Sequence, residues 1–182
     1  NTDITYSIHK DILGNYKKIK DEYLLPHITD QAVLDLGCFD GKWTQYMSEA
    51  VITAADLFSD GFTMLSERMR PPKYNIRFVE INGVDLKPIQ TESIDYIFCM
   101  DALVRSETEI IKGYFHEFKR ILRPEGKGCI HLPCQQQPMS RQRGFTPINI
   151  TEIEQWMREA GFSMFRINVT TVNHGVLLLI NI

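Results

Sequence analysis

The chain has 182 residues, 43% hydrophobic and 24% charged, which is typical of one globular domain with a core large enough to fold unaided. Its formal net charge is −3, so the chain lacks the excess of basic residues found in proteins that bind long nucleic acids. The sequence shows neither a signal peptide nor an apolar run approaching the ~20 residues needed to cross a bilayer. We therefore expect a single cytoplasmic domain spanning residues 1–182, with neither nucleic acid nor a membrane as partner.

The first predicted element is an amphipathic helix between Asp11 and Leu24. Its apolar residues recur at helical spacing, and lysines lie between them. Such a helix needs a core to lie on, so we expect residues 1–30 to form a helical cap on the domain. The apolar positions are Ile12, Tyr16, Ile19 and Tyr23.

Five short apolar runs of strand length follow, and helical segments separate them. Strands that are apolar throughout and joined by helices form a parallel sheet covered on both faces. This pattern predicts a doubly wound α/β fold. The predicted strands are Ala32–Leu36, Val51–Asp56, Ile76–Glu80, Ile94–Met100 and Gly128–Leu132.

Three helical segments lie between these strands. The clearest is Thr108–Leu122, whose large apolar residues fall on one face. Ser106 and Glu109 are expected to form its capping box, and Pro124 and Gly126 mark its end. The two shorter helices are predicted at Lys42–Ser48 and Gly61–Glu67.

The C-terminal part changes pattern. Residues 133–149 form a polar segment that is long for a compact domain, and it is either a lid that covers an acceptor pocket together with the N-terminal helix or a surface loop. A helix follows, capped by Thr151 and Glu154 and stopped by Gly161. Two strand-like runs joined by a short turn then predict an antiparallel hairpin. These runs are Phe162–Val169 and Val176–Ile182.

The residues that carry chemistry begin with a glycine-rich turn, Asp35–Gly41, directly after one strand and directly before a helix. Glycines in such a turn let the backbone approach a ligand closely, and the N–H groups at a helix start point towards it. Asp56 ends the next strand, at the separation of about 20 residues where a carboxylate reaches ribose hydroxyls. Together these features indicate a site for a ribose-containing ligand.

These residues, and most of the chain from about Ala32 onward, resemble the class I S-adenosylmethionine-dependent methyltransferases. Val33–Cys38 is similar to the first motif of that family, Phe78–Gly83 to its third-strand motif, and Ser93–Phe98 to the motif that leads into the fourth strand. The resemblance implies a Rossmann-like sheet of seven strands, mostly parallel with an antiparallel C-terminal hairpin strand, and helices on both faces. Further similar segments are Phe118–Pro124 and Ala160–Phe162.

The resemblance also implies S-adenosylmethionine as the cofactor and assigns residues to it. Asp35 is expected to face the methionine part, Asp56 to bind the ribose, and Asn82 with its neighbour Gly83 to border the adenine. The expected cofactor-binding set is Asp35, Gly37, Cys38, Phe39, Gly41, Asp56, Leu57, Asn82, Gly83 and Met100.

Three positions depart from the family pattern. Phe39 stands where a second glycine is usual, Asn82 where Asp is common, and Glu125 where the turn before the fifth strand usually has Gly. An Asn carbonyl oxygen still accepts a hydrogen bond from an adenine amino group. Phe39 either crowds the methionine end of the cofactor or covers it, so the sequence leaves altered cofactor use open.

Candidates for catalysis are expected at the carboxyl edge of the sheet, where ligands bind in open α/β folds. His131 ends the fifth strand and Asp101 follows the fourth, so both are candidates for removing a proton from an acceptor hydroxyl; the alternatives are a hydrogen-bonded strand-end histidine and a turn carboxylate. Arg105 is either an anchor for an anionic substrate or a solvated surface charge. No Cys/His cluster has zinc spacing, so no metal site is predicted, and the four cysteines are expected to be reduced and structural.

We interpret the chain as an enzyme that transfers a methyl group from S-adenosylmethionine to a small-molecule, sugar or lipid-type acceptor, with oxygen as the favoured accepting atom. After the fourth strand it has Cys99–Ala102 rather than the Asn- or Asp-Pro-Pro-aromatic motif usual in base-modifying enzymes. A nicotinamide-dependent oxidoreductase predicts a G-x-G-x-x-G fingerprint, which is absent. The remaining alternative is a non-catalytic domain of the same fold that acts as a binding or partner subunit, and cofactor turnover would distinguish the two.

Overall fold

Seven strands form one sheet on which the rest of the chain packs, within residues 15–69 and 74–181, the parts that the computed structural model describes. The strands are β1 Ala32–Leu36, β2 Val51–Asp56, β3 Asn75–Glu80, β4 Ile94–Cys99, β5 Leu122–Leu132, β6 Met164–Asn168 and β7 Val176–Asn181. Their order is β3-β2-β1-β4-β5-β7-β6; the first five are parallel, and β7 runs antiparallel to both β5 and β6. The predicted doubly wound α/β fold with an antiparallel C-terminal hairpin strand is confirmed.

Helices cover both faces of this sheet. On one face, buried side chains of the second and fourth helices, such as Phe118 and Trp156, join the apolar core. On the other face, Leu65 of the first helix and Ile19 of the N-terminal segment join a second apolar cluster. The helices are α1 Asp60–Arg68, α2 Thr108–Ile121, α3 Pro138–Gln142 and α4 Ile150–Glu159.

The N-terminal segment lies against β4. It runs through π-helical turns at Ile19–Leu24 and a 3-10 turn at Leu25–His27. The hydroxyl of Tyr96 in β4 donates a hydrogen bond to the backbone carbonyl of Tyr23. The predicted beginning of this helix, at Asp11, lies outside the described residues.

The helix predicted at Lys42–Ser48 is wrong. The segment contains a single 3-10 turn, Thr44–Tyr46. Trp, Thr and Tyr are weak helix formers, and the Thr44 hydroxyl is engaged by a carboxylate of β1, so nothing extends the turn into a full helix. The helix predicted at Gly61–Glu67 is confirmed as α1.

The fifth strand begins earlier than predicted, at Leu122 instead of Gly128. Leu122 pairs with Ile94, and the pairing resumes at Tyr96 with Lys127, so residues 123–126 bulge out of the ladder. Within this bulge Glu125 has a left-handed φ of +65°. The turn that usually carries glycine in the family is therefore present here with a glutamate in the glycine conformation.

The capping box predicted for α2 is wrong. The N-cap is Glu107, and it makes no side-chain capping bond. Because the helix begins at Thr108, Glu109 occupies its second position, whereas a capping box needs the third. The carbonyl of Ser106 instead accepts a hydrogen bond from the Thr146 hydroxyl. This bond joins the 133–149 segment to the loop that precedes α2.

The capping box of α4 exists, but two residues earlier than the predicted pair Thr151 and Glu154. The Asn149 side chain accepts the N–H of Glu152 at 3.0 Å, and the Glu152 carboxylate accepts the N–H of Asn149 at 2.8 Å. Asn is as favourable as Ser or Thr at this position, so the sequence offered two overlapping starts.

The two starts make a direct test. Replacing a capping Asn by Ala costs about 1 kcal/mol, so Asn149→Ala is expected to lower the unfolding free energy by that amount and the Tm by roughly 2–4 °C. Thr151→Ala is the matched control, since Thr151 is exposed within the first turn and is expected to leave stability nearly unchanged. Urea unfolding followed by circular dichroism measures both; a larger loss for Thr151→Ala would contradict the observed cap.

Candidate functional site

The glycine-rich loop leaves β1 at the carboxyl edge of the sheet. Gly37 and Gly41 have left-handed φ values of +79° and +84°. A Cβ on Gly37 would lie 2.4 Å from Cβ of Ala102, and one on Gly41 would lie 2.1 Å from Cδ1 of Leu65. Both positions therefore require glycine, and the loop backbone lies directly against the chain that follows β4.

Asp56, at the end of β2, holds this loop in place. One of its carboxylate oxygens accepts the N–H of Phe39 at 2.9 Å, and the other accepts the N–H of Phe58 at 3.2 Å. A carboxylate has about four acceptor positions, so each oxygen keeps capacity for a further donor. Phe39 itself has a left-handed φ of +40°, and its side chain is 56% exposed.

Asp35 lies beneath the loop and is 2% exposed. Its carboxylate accepts a hydrogen bond of 2.6 Å from the Thr44 hydroxyl. Burial raises the pKa of Asp35 to about 7, the Thr44 hydrogen bond works in the opposite direction, and the negative charge of Asp56 adds to the rise. A positive charge placed near Asp35 would favour its ionised form.

A cleft of about 290 Å³ opens between the glycine loop and the chain that follows β4. It gathers residues from the carboxyl ends of β1, β2, β3 and β4, which is where open α/β sheets bind ligands. The predicted cofactor residues that line it are Gly37, Phe39, Asp56, Leu57, Gly83 and Met100.

The other predicted cofactor residues do not line this cleft. Asp35 and Cys38 are buried beneath it, and Gly41 packs against α1. The Asn82 side-chain oxygen accepts the N–H groups of residues 84 and 85, both at 2.9 Å. The oxygen expected to receive an adenine amino group is therefore already engaged, and the side-chain NH₂ is the part of Asn82 that remains to bind a ligand.

A second cavity, of about 80 Å³, adjoins the first and shares Met100 and Asp101 with it. Tyr16 of the N-terminal segment lines one side, and Arg143 of the 133–149 segment lines another. The remaining lining residues are Asn15, Ile19, Val172, Asn173 and His174.

Asp101 lies between two histidines. Its Oδ1 is 2.8 Å from Nδ1 of His131 and 3.6 Å from Nε2 of His174, and the two imidazole rings meet edge to face at 4.7 Å. Burial works to raise the pKa of Asp101, but the contacts with both histidines outweigh it and hold the pKa well below its ordinary value. Burial lowers the pKa of His131, against the opposing effect of Asp101. The arrangement is thus an ionised carboxylate beside a neutral, fully buried imidazole.

His131 does not open towards the second cavity. Its side chain is 0% exposed, and the backbone of Gly175 covers its Nε2 so closely that a Cβ there would lie 2.4 Å away. His131 is not among the residues that line that cavity, whereas Asp101 is. Of the two predicted catalytic candidates, Asp101 therefore lines the cavity and His131 lies behind it.

Sequence reasoning missed His174, Arg143 and Tyr16. His174 reaches Asp101 because β7 pairs antiparallel with β5, with Leu132 opposite Val176, and this pairing returns the β6–β7 turn to the end of β5. Helical or strand spacing along the sequence gives no sign of such a long-range contact. The hairpin turn was predicted, but only the family resemblance could have indicated which strand of the sheet the hairpin pairs with.

Arg105 lies outside both cavities. Its guanidinium stacks over the Phe145 ring, 5.1 Å from the centroid, and donates a hydrogen bond of 3.2 Å to the carbonyl of Arg143. These contacts support the 133–149 segment and leave the substrate role of Arg105 a prediction.

The four cysteines, Cys38, Cys99, Cys129 and Cys134, are all buried and free. In the described ranges, no helix has the length and apolar character needed to span a membrane.

A family model described as a methyltransferase domain matches residues 33–126, which is more than half of the chain. The chain belongs to this methyltransferase family. The matched residues of the methyltransferase domain run from β1 into the bulge at the start of β5 and include the glycine loop, Asp56 and Asp101. The sequence prediction of a class I methyltransferase is confirmed.

Solved structures share the fold of this methyltransferase domain at low sequence identity. A protein from Pyrococcus horikoshii has a TM-score of 0.71 and 16% identity, over 95% of this chain and 90% of its own. A SAM-dependent methyltransferase from Archaeoglobus fulgidus has a TM-score of 0.71 and 13% identity, over 94% of each chain. Phosphoethanolamine N-methyltransferase 2 from Haemonchus contortus, solved with S-adenosylmethionine, has a TM-score of 0.67 and 21% identity over 86% of this chain, but only 38% of its own. No curated protein matches the chain by sequence.

The raised pKa of Asp35 predicts a pH dependence of stability. Between the ordinary carboxyl pKa near 4 and the folded value of about 7, the folded state keeps a proton that the unfolded state has lost, so stability falls as pH rises through this window. Asp35→Asn, which cannot ionise, is expected to remove this slope. Urea unfolding at pH 5, 6, 7 and 8 should show the wild type losing on the order of 2 kcal/mol relative to the variant. Parallel profiles for the two proteins would contradict the assignment.

Proposed function

We propose that this chain transfers the methyl group of S-adenosylmethionine to a small-molecule acceptor, of the sugar or lipid-intermediate type, at an oxygen atom. The observation that carries the proposal is the contact between the two cavities. Six of the ten predicted cofactor residues line the larger cleft, and the smaller cavity joins it at Met100 and Asp101. Methyl transfer needs the acceptor atom held in line with the sulfonium methyl and shielded from water. Two cavities that share lining residues give the donor and the acceptor separate spaces that adjoin.

The cleft fits an adenosine group for reasons specific to these residues. The acceptor capacity that Asp56 keeps, beyond its two loop hydrogen bonds, serves the ribose hydroxyls. Gly83, with φ +77°, lines the cleft without a side chain, and a Cβ there would lie 2.6 Å from Cδ2 of Leu57, so the wall of the cleft requires glycine at this position. Asn82 does not itself line the cleft, and its carbonyl oxygen already accepts from the following turn, so its side-chain NH₂ is the group left to contact the adenine.

Asp35 serves the charged end of the cofactor from beneath the loop. Its pKa near 7 makes its ionisation sensitive to the positive charge of the methionine ammonium and sulfonium. Gly37, in the loop above it, supplies close backbone approach, and Met100 supplies an apolar wall at the junction of the cavities.

On the acceptor side, we assign to Asp101 the contact with the reacting hydroxyl of the acceptor, and to His131 the positioning of Asp101. Asp101 lines both cavities and is held ionised, so it binds the hydroxyl hydrogen of an acceptor and keeps the oxygen aimed at the methyl group. His131 contacts its carboxylate at 2.8 Å and cannot itself reach an acceptor, because the β6–β7 turn covers it. Arg143 is the cationic side chain of the smaller cavity.

The contacts of the 133–149 segment support its role as a lid over that cavity. It contains the short helix α3 and hydrogen bonds to two different parts of the fold: Met139 N–H to the Asn173 carbonyl, and Thr146 N–H to the Val104 carbonyl. From this anchored position it presents Arg143 to the cavity, opposite Tyr16 of the N-terminal segment. The acceptor is thus enclosed by two segments outside the matched family region.

Isothermal titration with S-adenosylmethionine and S-adenosylhomocysteine tests the cofactor site. Asp56→Ala removes a charged acceptor of ribose hydrogen bonds, each worth roughly 1.5–3 kcal/mol, so binding should weaken about 10- to 100-fold. Glu22→Ala is the control, since Glu22 lines a cavity towards the other edge of the sheet. Equal loss in both variants would indicate unfolding, and no loss in Asp56→Ala would contradict the ribose assignment.

Phe39→Gly tests whether the aromatic ring covers the cofactor or crowds it. Glycine adopts the left-handed conformation without strain, so the unfolding free energy should rise by about 1 kcal/mol. We expect cofactor affinity to fall several-fold at the same time, because the exposed ring forms part of the cleft wall. Titration of the variant with S-adenosylhomocysteine measures the affinity, and tighter binding than wild type would mean that the ring crowds the site.

A further inference from the structure

Three metal-ligand side chains converge where β4, β5 and the β6–β7 turn meet. Asp101, His131 and His174 each offer one donor atom, and these atoms all lie within 4.8 Å of one another. We propose that they bind one divalent transition-metal ion at the acceptor end of the cleft. The role of that ion rests on the proposed function, but its binding does not.

The distances between the donor atoms suit a shared ion. Two atoms bound to one ion at about 2.1 Å lie roughly 3 Å apart and point at the ion rather than at each other. Asp101 Oδ1 is 2.8 Å from Nδ1 of His131 and 3.6 Å from Nε2 of His174. Despite the 2.8 Å distance, Nδ1 of His131 makes no hydrogen bond of acceptable geometry. The two atoms approach as neighbouring ligands do, without the alignment of donor and acceptor.

The burial of His131 gives a second reason. Its side chain is 0% exposed, and neither ring nitrogen has a hydrogen-bond partner. Buried polar atoms without partners are rare in folded proteins, because each costs its full desolvation energy. An ion bound at Nδ1 would satisfy the nitrogen that faces the cluster. Asp101 adds backbone strain at the same place, since it holds a left-handed φ of +62° without being glycine.

The donor set selects the kind of ion. Two imidazoles and one carboxylate favour Zn²⁺, Fe²⁺ or Mn²⁺ over Ca²⁺ or Mg²⁺, which prefer oxygen ligands. Three protein ligands leave at least one coordination position open. Asp101 and His174 line the smaller cavity, so the open side of the ion faces the space assigned to the acceptor.

An ion in this position would bind the acceptor oxygen directly. A hydroxyl bound to the ion loses its proton to water more easily, because the metal stabilises the resulting alkoxide. The oxygen lone pair then forms the bond to the methyl carbon while the bond from that carbon to sulfur breaks, and neutral S-adenosylhomocysteine leaves. The site therefore narrows the proposed acceptor to a compound whose methylated hydroxyl coordinates a metal.

The experiment uses the full chain without a histidine tag, stripped of metal with EDTA and saturated with S-adenosylhomocysteine. Titration with Co²⁺, followed by absorbance, and with Zn²⁺, followed by calorimetry, should show one ion per chain. The cobalt spectrum should lack a thiolate charge-transfer band, which separates this site from the four buried cysteines. His174→Ala should weaken binding at least 10- to 100-fold. His116→Ala, an exposed histidine of α2, is the matched control and should bind as wild type does.

The same samples separate this proposal from the proposed function. S-adenosylhomocysteine binding without metal binding would overturn the metal site and leave the methyltransferase function standing. Metal binding without S-adenosylhomocysteine binding would overturn the methyltransferase function and leave the metal site standing. Equal metal affinity in wild type and His174→Ala would also overturn the site, and circular dichroism of each variant shows whether a loss reflects unfolding.

Discussion

The antiparallel pairing of β7 with β5 determines what can meet at the acceptor end of the cleft. Six residue pairs, from Lys127 with Asn181 to Leu132 with Val176, fix the register of these strands. Because β7 begins beside the last residue of β5, the turn that precedes it must lie at the carboxyl edge of the sheet. A fully parallel arrangement would place that turn at the opposite edge. The inserted strand thus brings His174 and Gly175 to His131, and the burial of His131 follows from it.

The cofactor side depends on a different constraint, which is local. Asp56 fixes the backbone of the glycine loop through the N–H of Phe39, at the strand end where a ribose would bind. One carboxylate therefore both shapes the loop and faces the cleft. Phe39 adopts the left-handed backbone at a cost of about 1 kcal/mol, and the hydrogen bond from its N–H to the charged carboxylate helps to hold the loop in that conformation.

The contrast between the cofactor side and the acceptor end of the cleft shows what the sequence could predict. Asp35, Gly37 and Asp56 lie on the adjacent strands β1 and β2 and the segment that joins them, so residues close in the chain are also close in the structure. The sheet could be predicted because its parallel strands are short apolar runs, although full α-helices join only β2 to β3 and β4 to β5 in the described residues. Helix starts were harder: Asn149 and Thr151 both fit a capping box, and only packing decides between them. In the cluster around Asp101, the sequence placed Asp101 and His131 at the carboxyl edge, but it could not predict His174, because His174 arrives on a hairpin turn far away in sequence.

The two carboxylates of the site, buried Asp35 and exposed Asp101, differ in how firmly they are ionised, and this asymmetry bears on turnover. Burial pushes Asp35 towards its neutral form at neutral pH, whereas two histidines keep Asp101 ionised. On the proposed function, a sulfonium donor in the cleft would favour ionisation of Asp35, and the gain in charge attraction would stabilise the bound donor. Methyl transfer removes the sulfonium charge, so the product loses part of this stabilisation while its shape stays nearly the same. A carboxylate poised near neutrality beneath the glycine loop therefore gives the protein a means to hold the donor more tightly than the product, independently of any contact with the methyl group itself.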